Sequence, residues 1–278
     1  MNEDLLSHNL LNSSDISDIR RFSSLVDQYN LKDESIVVDY QSLGELEHAD
    51  TWKYPHFQYN IHKYGYRIDN IPSEVDIAAF GCSFTFGQGL PSEMLWHSKL
   101  AQSLGMSSIN FGIPGSSIET SVDLFLIASQ HIKIKHAIFL LPVHTRKQIA
   151  TVNKNSGEIR YLPIMSNLFN SQLAKYYELD VEAIYKYMPD EEFLKVSKNQ
   201  LFLAELIGKL RGVNVYFSAW DPDTYQMLTK LNFTSSKLLP SWHSRNSSQL
   251  KNDLARDNAH PGPEHHNDWA TNIKEYIK

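Results

Sequence analysis

The chain has a single cysteine, Cys82, among 278 residues. An intramolecular disulfide is therefore excluded, and packing alone must hold the fold. It also lacks long apolar runs. No stretch approaches the roughly 18 uninterrupted apolar residues of a membrane-spanning helix, so no membrane partner is expected. The opening residues, MNEDLLSHNLLNSSD, are acidic and polar where an export signal would be basic and then apolar. The expectation is a cytoplasmic protein; incorporation into a virion would leave the same record. Positive charge is scarce as well, with 26 Lys and Arg against 32 Asp and Glu and a formal net charge of −6. No dense basic stripe interrupts it, so no nucleic-acid partner is expected, because phosphate backbones are held by clustered cations.

Metal and cofactor signatures are missing too. There is no HExxH, cysteine pair or His-x-His spacing. Gly87-Gln88-Gly89 lacks the rest of a dinucleotide or P-loop pattern. No metal and no cofactor are expected, and His265, His266 and Asp268, on the opening turn of a helix, read as surface residues.

What the chain does have is an ordinary core composition, 42% hydrophobic and 21% charged, arranged in two styles. Residues 1–74 read as an N-terminal arm. It holds a helix from Asp15 to Gln28 capped by Ser14, and an aromatic stretch (Trp52, Tyr54, Phe57, Tyr59, Tyr64, Tyr66) suited to packing on a neighbouring core. From 75 to 278 short apolar runs alternate with amphipathic segments. Strands are predicted at 76–80, 108–113, 137–143 and 213–220, and helices at 94–104, 116–131, 200–211 and 263–277. The 116–131 helix aligns Ile118, Val122, Phe125 and Leu126. The 200–211 helix aligns Phe202, Leu206 and Leu210, and the last helix Trp269, Ala270, Ile273 and Ile277. Residues 150–198 break the rhythm as an insertion, opening with a hairpin over 151–164 and continuing as helical, tyrosine-bearing segments. Repeated strand–helix units imply a parallel sheet covered on both faces, with ligands bound beyond the carboxyl ends of its strands.

The residues at those ends carry chemistry. Gly81-Cys82-Ser83 places a serine between a strand and a helix, with its hydroxyl presented and its own amide available to an oxyanion. Asn110-Phe111-Gly112-Ile113-Pro114-Gly115 follows the next strand, where Gly112 lets backbone approach a substrate and donate its N–H. Asp257-Asn258-Ala259-His260-Pro261 precedes the terminal helix. A serine hydroxyl needs a base, and the base needs a carboxylate to fix its tautomer; Asp257 and His260 can meet across one tight turn. The bland alternatives are a strand-end turn, a Pro-Gly turn and an Asp-rich surface loop.

Together these segments resemble the SGNH/GDSL hydrolases, which carry Gly-x-Ser after the first strand, Asn-x-Gly-x-x-Gly after the next and Asp-x-x-His near the C-terminus. Asn60–Arg67 (NIHKYGYR), ahead of Gly-Cys-Ser-Phe-Thr-Phe-Gly-Gln-Gly-Leu, is similar to the lead-in of a bacterial and phage-borne branch. The resemblance covers 60–149 and 200–277. It implies a three-layer α/β/α sandwich with a parallel, flavodoxin-like sheet, and a serine esterase acting on an acyl ester, an acetyl ester of a carbohydrate or of a small molecule. Ser83, His260 and Asp257 would form the triad, and the amides of Ser83 and Gly112 would face the oxyanion. Two departures stand out. Cys82 replaces the usual Asp before the serine, which raises a rival nucleophile. The family's Gly-x-Asn-Asp segment is absent; Leu141-Pro142-Val143-His144-Thr145-Arg146 stands there, and by alignment His144 takes the place of the oxyanion-hole asparagine. The alternative from another class is a non-catalytic SGNH-fold module used for binding or structure, for instance in a phage particle. Acyl transfer would use the same residues as hydrolysis.

Overall fold

The computed structural model describes residues 36–39, 57–152, 159–164, 181–187, 190–242, 253–257 and 259–277. The helix expected from Asp15 to Gln28, and Trp52 and Tyr54, lie outside the described residues.

The first pair of strands, β1 (Ile36–Asp39) and β2 (Gln58–Ile61), is antiparallel. Then comes β3 (Glu74–Gly81), the short helix α1 (Ser83–Phe86), α2 (Trp96–Leu104), β4 (Ser108–Gly112), α3 (Ile118–His131) and β5 (Lys133–Leu141). An antiparallel hairpin of β6 (Lys147–Val152) and β7 (Ile159–Ile164) follows, close to the predicted one. The chain continues with α4 (Val181–Tyr187), α5 (Asp190–Arg211), β8 (Asn214–Ala219), α6 (Pro222–Thr229), the two-residue β9 (Lys237–Leu238) and α7 (Pro263–Ile273).

Five strands form one parallel sheet in the order β4-β3-β5-β8-β9. This is the flavodoxin-like order, which creates a switch point between the first and third strands in sequence, here β3 and β5. Side-chain alternation divides the interior into two cores. Ala78 and Phe80 of β3, Phe139 and Leu141 of β5 and Val215 and Phe217 of β8 face α3, α5 and α6. Ile77, Ala79, Ile138, Leu140 and Tyr216 face α2 and α7. The result is the expected α/β/α sandwich. Phe80, Phe111, Phe125 and Phe139 meet at centroid distances of 5.0–5.5 Å on the first face, and Trp96, Trp242 and Trp269 cluster on the second. None of the described helices is long and apolar enough to cross a membrane.

Helix ends follow the local sequence. Ser117 caps α3 by accepting from Thr120 N–H at 3.2 Å. Asp221 caps α6 in the same way, with Pro222 in its first turn. The last helix buries Trp269, Ala270 and Ile273 on its predicted face.

Two expectations fail. The aligned Phe202, Leu206 and Leu210 lie outside, with 41%, 48% and 57% of their surface exposed. Helix α5 instead turns Ser197, Leu201, Ala204, Glu205 and Gly208 inward. The cause is a close approach: a Cβ on Gly208 would stand 2.3 Å from Val215 Cγ2, so the small residues must face the sheet. Glu205 tolerates this position because its carboxylate accepts the N–H groups of Thr234, Ser235 and Ser236 at 2.7–2.9 Å. Burial pushes its carboxyl up, and those amides outweigh it and hold it below the usual value. His266 is likewise not a surface residue. It is buried, and its Nδ1 accepts the Trp96 N–H at 3.0 Å, which ties the start of α2 to α7.

Candidate active site

Ser83 opens α1 directly beyond the carboxyl end of β3, 8% exposed. Its amide has no acceptor among the described residues, as the first donors of a helix have no intrahelical partner. The turn behind it is held rigidly. Arg67, from the NIHKYGYR segment, donates to the carbonyls of Phe86 (3.1 Å), Gly87 (2.7 Å) and Leu90, and its guanidinium lies 4.4 Å from the Tyr59 ring. Tyr59 Oη accepts the Gly89 N–H at 2.7 Å. Arg67 and Tyr59 thus satisfy the backbone of the nucleophile turn, a role their place upstream of the strand did not disclose. The signal was a lone arginine in an apolar, aromatic segment, where charge must find partners.

Cys82 is fully buried, and its sulfur accepts the Trp220 Nε1–H at 3.3 Å. A walled-in thiol that serves as a hydrogen-bond acceptor does not attack a substrate, which removes the rival nucleophile.

Asn110 and Gly112 are brought beside this turn for structural reasons. Asn110 Nδ2 donates to the Thr85 and Phe86 carbonyls at 2.9 and 3.3 Å. Its Oδ1 accepts the Gly112 N–H at 2.9 Å. The amide assigned to the oxyanion is therefore already spent, which corrects the reading of Gly112. The glycine is needed for contact: a Cβ there would stand 2.2 Å from Phe86 N. Three residues on, Gly115 is different. Its amide has no acceptor among the described residues, and its φ is +76°. Ser116 Oγ donates to the Gly81 carbonyl at 3.0 Å, holding this loop against the end of β3.

The Asp257–His260 turn forms its own unit. Asp257 Oδ2 pairs with His260 Nδ1, while Oδ1 accepts the N–H groups of Ala259 and His260 at 3.1 and 3.0 Å. Burial pushes the Asp257 carboxyl up, but the bonds and charge of His260 and these two amides outweigh it and leave it below its ordinary value. A carboxylate on Nδ1 fixes the tautomer with the lone pair at Nε2, and Nε2 has no partner among the described residues. The His260 ring stands 5.8 Å, centroid to centroid, from that of Phe84, the residue after Ser83. Arg256 N–H donates to the Gly89 carbonyl at 3.0 Å, tying the turn to the chain beyond α1. Ser83 and His260 are not hydrogen bonded to each other in this structure; in unliganded enzymes such bonds are often long and tighten with substrate.

His144 also needs correction. Thr224 donates its hydroxyl to Asp221 Oδ2 at 2.7 Å, so its oxygen can only accept from His144, both from the backbone N–H (2.9 Å) and from Nδ1 (3.2 Å). The neutral ring therefore carries its proton on Nδ1, facing Thr224, and offers a lone pair at Nε2. A neutral His144 does not supply the missing donor.

Beside it, Arg146 lies with its Cζ 5.7 Å from the Trp220 ring centre, and Trp220 stacks on Phe84 at 4.7 Å and 14°. Guanidinium, indole, phenyl and imidazole are thus neighbours in turn, and the phenyl belongs to the residue that follows Ser83. The aromatic pair Phe84–Trp220 escaped the motif search because Phe84 sits in α1 and Trp220 follows β8, far apart in the sequence.

No family model and no curated protein matches the sequence. Solved structures do. TesA is 11% identical, matching 73% of this chain and 98% of its own, with a TM-score of 0.47. The psychrotrophic esterase EstA from Pseudoalteromonas sp. is 13% identical over 74% of this chain and 99% of its own, TM-score 0.45. AlinE4, an SGNH-hydrolase family esterase, is 16% identical over 75% and 97%, TM-score 0.39. At 11–16% identity this likeness assigns no activity, which has to come from the residues of this chain.

Proposed function

We propose that the protein is a serine ester hydrolase of the SGNH/GDSL kind. The observation that carries this reading is the Asp257–His260 pair: a carboxylate holds Nδ1, Nε2 has no partner among the described residues, and the ring neighbours that of Phe84, the residue that follows Ser83. Nε2 takes the Ser83 proton as Oγ bonds to the ester carbonyl carbon. The carbonyl electron pair moves onto oxygen, where the unpartnered amides of Ser83 and Gly115 receive it. Collapse expels the alcohol, which takes the proton from Nε2, and leaves an acyl-serine. Water, deprotonated by the same nitrogen, then releases the acid and regenerates Oγ–H. Asp257 orients the imidazole and stabilises its charged form throughout. The substrate class is an acyl ester, with acetyl groups on a carbohydrate as the first family to screen.

A second reading, a binding module on this scaffold, is favoured by one observation. His144 commits its neutral-ring proton to Thr224, so two amides stand where three donors would serve best. Removing one such donor elsewhere costs roughly 3–4 kcal/mol. Labelling with a neutral fluorophosphonate decides between them. Wild type should be captured at Ser83, located by mass spectrometry, and Ser83→Ala should not. Absence of labelling from pH 6 to 9, together with no turnover of 4-nitrophenyl acetate, would leave the binding module.

A further inference from the structure

We infer that Arg146 is a substrate-binding residue that selects esters carrying an anionic group, a carboxylate or a phosphate, close to the scissile bond. This rests on the esterase reading for the reaction, though not for the binding. The guanidinium is half-buried at the edge of the site, between the Ser116 carbonyl and the Trp220 ring. Its one hydrogen bond among the described residues, Nη1 to Ser116 O, is long at 3.4 Å. A guanidinium has five N–H donors in a rigid fork that matches a carboxylate or phosphate edge, and among the described residues most of this fork has no acceptor.

The neighbouring cation makes the contrast. Lys147 is buried and paired with Glu119 at 3.3 Å. Arg146 has no ion-pair partner among the described residues. The carboxylate next to Trp220, Asp221, commits its Oδ2 to the amide and hydroxyl of Thr224 and makes no ion pair with Arg146. A structural arginine in a half-buried place normally meets a carboxylate or a set of carbonyls, as Arg67 does. Arg146 instead has its Cζ 5.7 Å from the centre of an indole that shares its other neighbour, Phe84, with the His260 imidazole. A positive charge with no ion-pair partner among the described residues thus lies one indole away from Phe84, the residue that follows Ser83 and neighbours the His260 ring. Ser116, which it touches, follows Gly115, whose amide awaits the oxyanion.

The test is equilibrium binding to Ser83→Ala, which performs no acyl chemistry, by titration calorimetry. The probes are methyl hydrogen succinate, inorganic phosphate and, as a neutral isostere, methyl succinamate. At least one anion should bind ten-fold or more tightly than the succinamate, and the better of the two names the anion class. Adding Arg146→Gln should remove that preference by ten-fold or more. Arg146→Lys should keep part of it, since the charge stays and the fork is lost. Thermal melts verify that each variant is folded. Equal binding of anion and neutral probe, or an undiminished preference in Arg146→Gln, overturns the inference. Because no turnover is needed, failure of wild type to cleave esters would sink the hydrolase reading while leaving this outcome legible.

Discussion

The Arg256 N–H donates to the Gly89 carbonyl at 3.0 Å, so the loop that carries His260, the proposed base, is fastened to the chain just past Ser83 and α1. Gly89 has φ +79°, and a Cβ there would stand 2.8 Å from Ala255 Cβ and 3.0 Å from Arg256 N. Gly89→Ala must push the Asp257–His260 loop outward, and the left-handed backbone adds about 1–2 kcal/mol of strain. A displacement near 1 Å lowers rate by about 10²-fold. The expected result is a kcat loss of that order on 4-nitrophenyl acetate with a melting temperature only a few degrees lower. An unchanged kcat would show that this tether does not position the base.

Asp257→Asn tests the carboxylate separately. An amide that donates to Nδ1 stabilises the wrong tautomer and moves the lone pair away from Ser83, and losses on the order of 10³–10⁴ in kcat are expected. Stability should respond with a defined sign. The Asp257 carboxyl is held below its ordinary value in the folded chain. Its contribution is therefore complete above the ordinary carboxylate range and lost as pH falls through the folded value. Wild type should out-melt the variant at neutral pH, and the gap should close toward acid. A gap that widens on acidification would contradict the pairing.

Gly112 and Gly115 should part company. A Cβ on Gly112 would enter the backbone of α1, 2.2 Å from Phe86 N and 2.7 Å from Thr85 C. Gly112→Ala is expected to lower stability by about 3 kcal/mol or more, as overpacking against backbone does. A Cβ on Gly115 meets nothing within 4 Å, so Gly115→Ala carries only the strain of its φ of +76°. That strain is relieved by rotating the peptide whose amide is assigned to the oxyanion. The expectation is a nearly normal melt with kcat down ten-fold or more and KM little changed. If Gly115→Ala retains full kcat, another donor receives the oxyanion.

The sheet was legible because its strands are short apolar runs with turn residues at each end, and because helices of 3.6-residue period separate them. The Asp257–His260 contact and the place of Ser83 just past β3 were legible because a Ser-His-Asp arrangement would need those residue types in strand-end loops. What escaped depends on three-dimensional approach. Phe202, Leu206 and Leu210 form an apolar stripe, yet Gly208 against Val215 decides which face of α5 touches the sheet. Gly112 and Gly115 look equivalent in Asn-Phe-Gly-Ile-Pro-Gly, and only the bend of Asn110 onto the Gly112 amide separates a clamp from a free donor. His144 aligned with an asparagine, but the Asp221–Thr224 chain fixes its proton on the other nitrogen. Arg67 read as part of a lead-in and proves to be the cation that holds the carbonyls of the nucleophile turn.

Asp123 gives a prediction that runs opposite to Asp257. Burial of this α3 side chain beside β6 raises its carboxyl to about 6; the Gln148 hydrogen bond at 2.9 Å opposes this and the charge of Glu119 adds to it. A carboxyl raised on folding binds its proton more tightly in the folded chain than in the unfolded one. Its favourable contribution is complete below the ordinary Asp value and is lost as pH rises through about 6. At pH 7.5 the folded protein therefore holds an ionised carboxylate it would rather protonate. Asp123→Asn keeps an oxygen for Gln148 Nε2 and removes the charge, so it should stabilise the protein by about 1–2 kcal/mol at that pH, after discounting for solvent access. For a chain of this size that corresponds to a rise of roughly 2–6 °C in Tm. Melts from pH 4 to 8 should show the advantage growing through pH 6 and fading below 5. Equal curves across that range would mean that water or Gln148 already neutralises the cost of burying this charge.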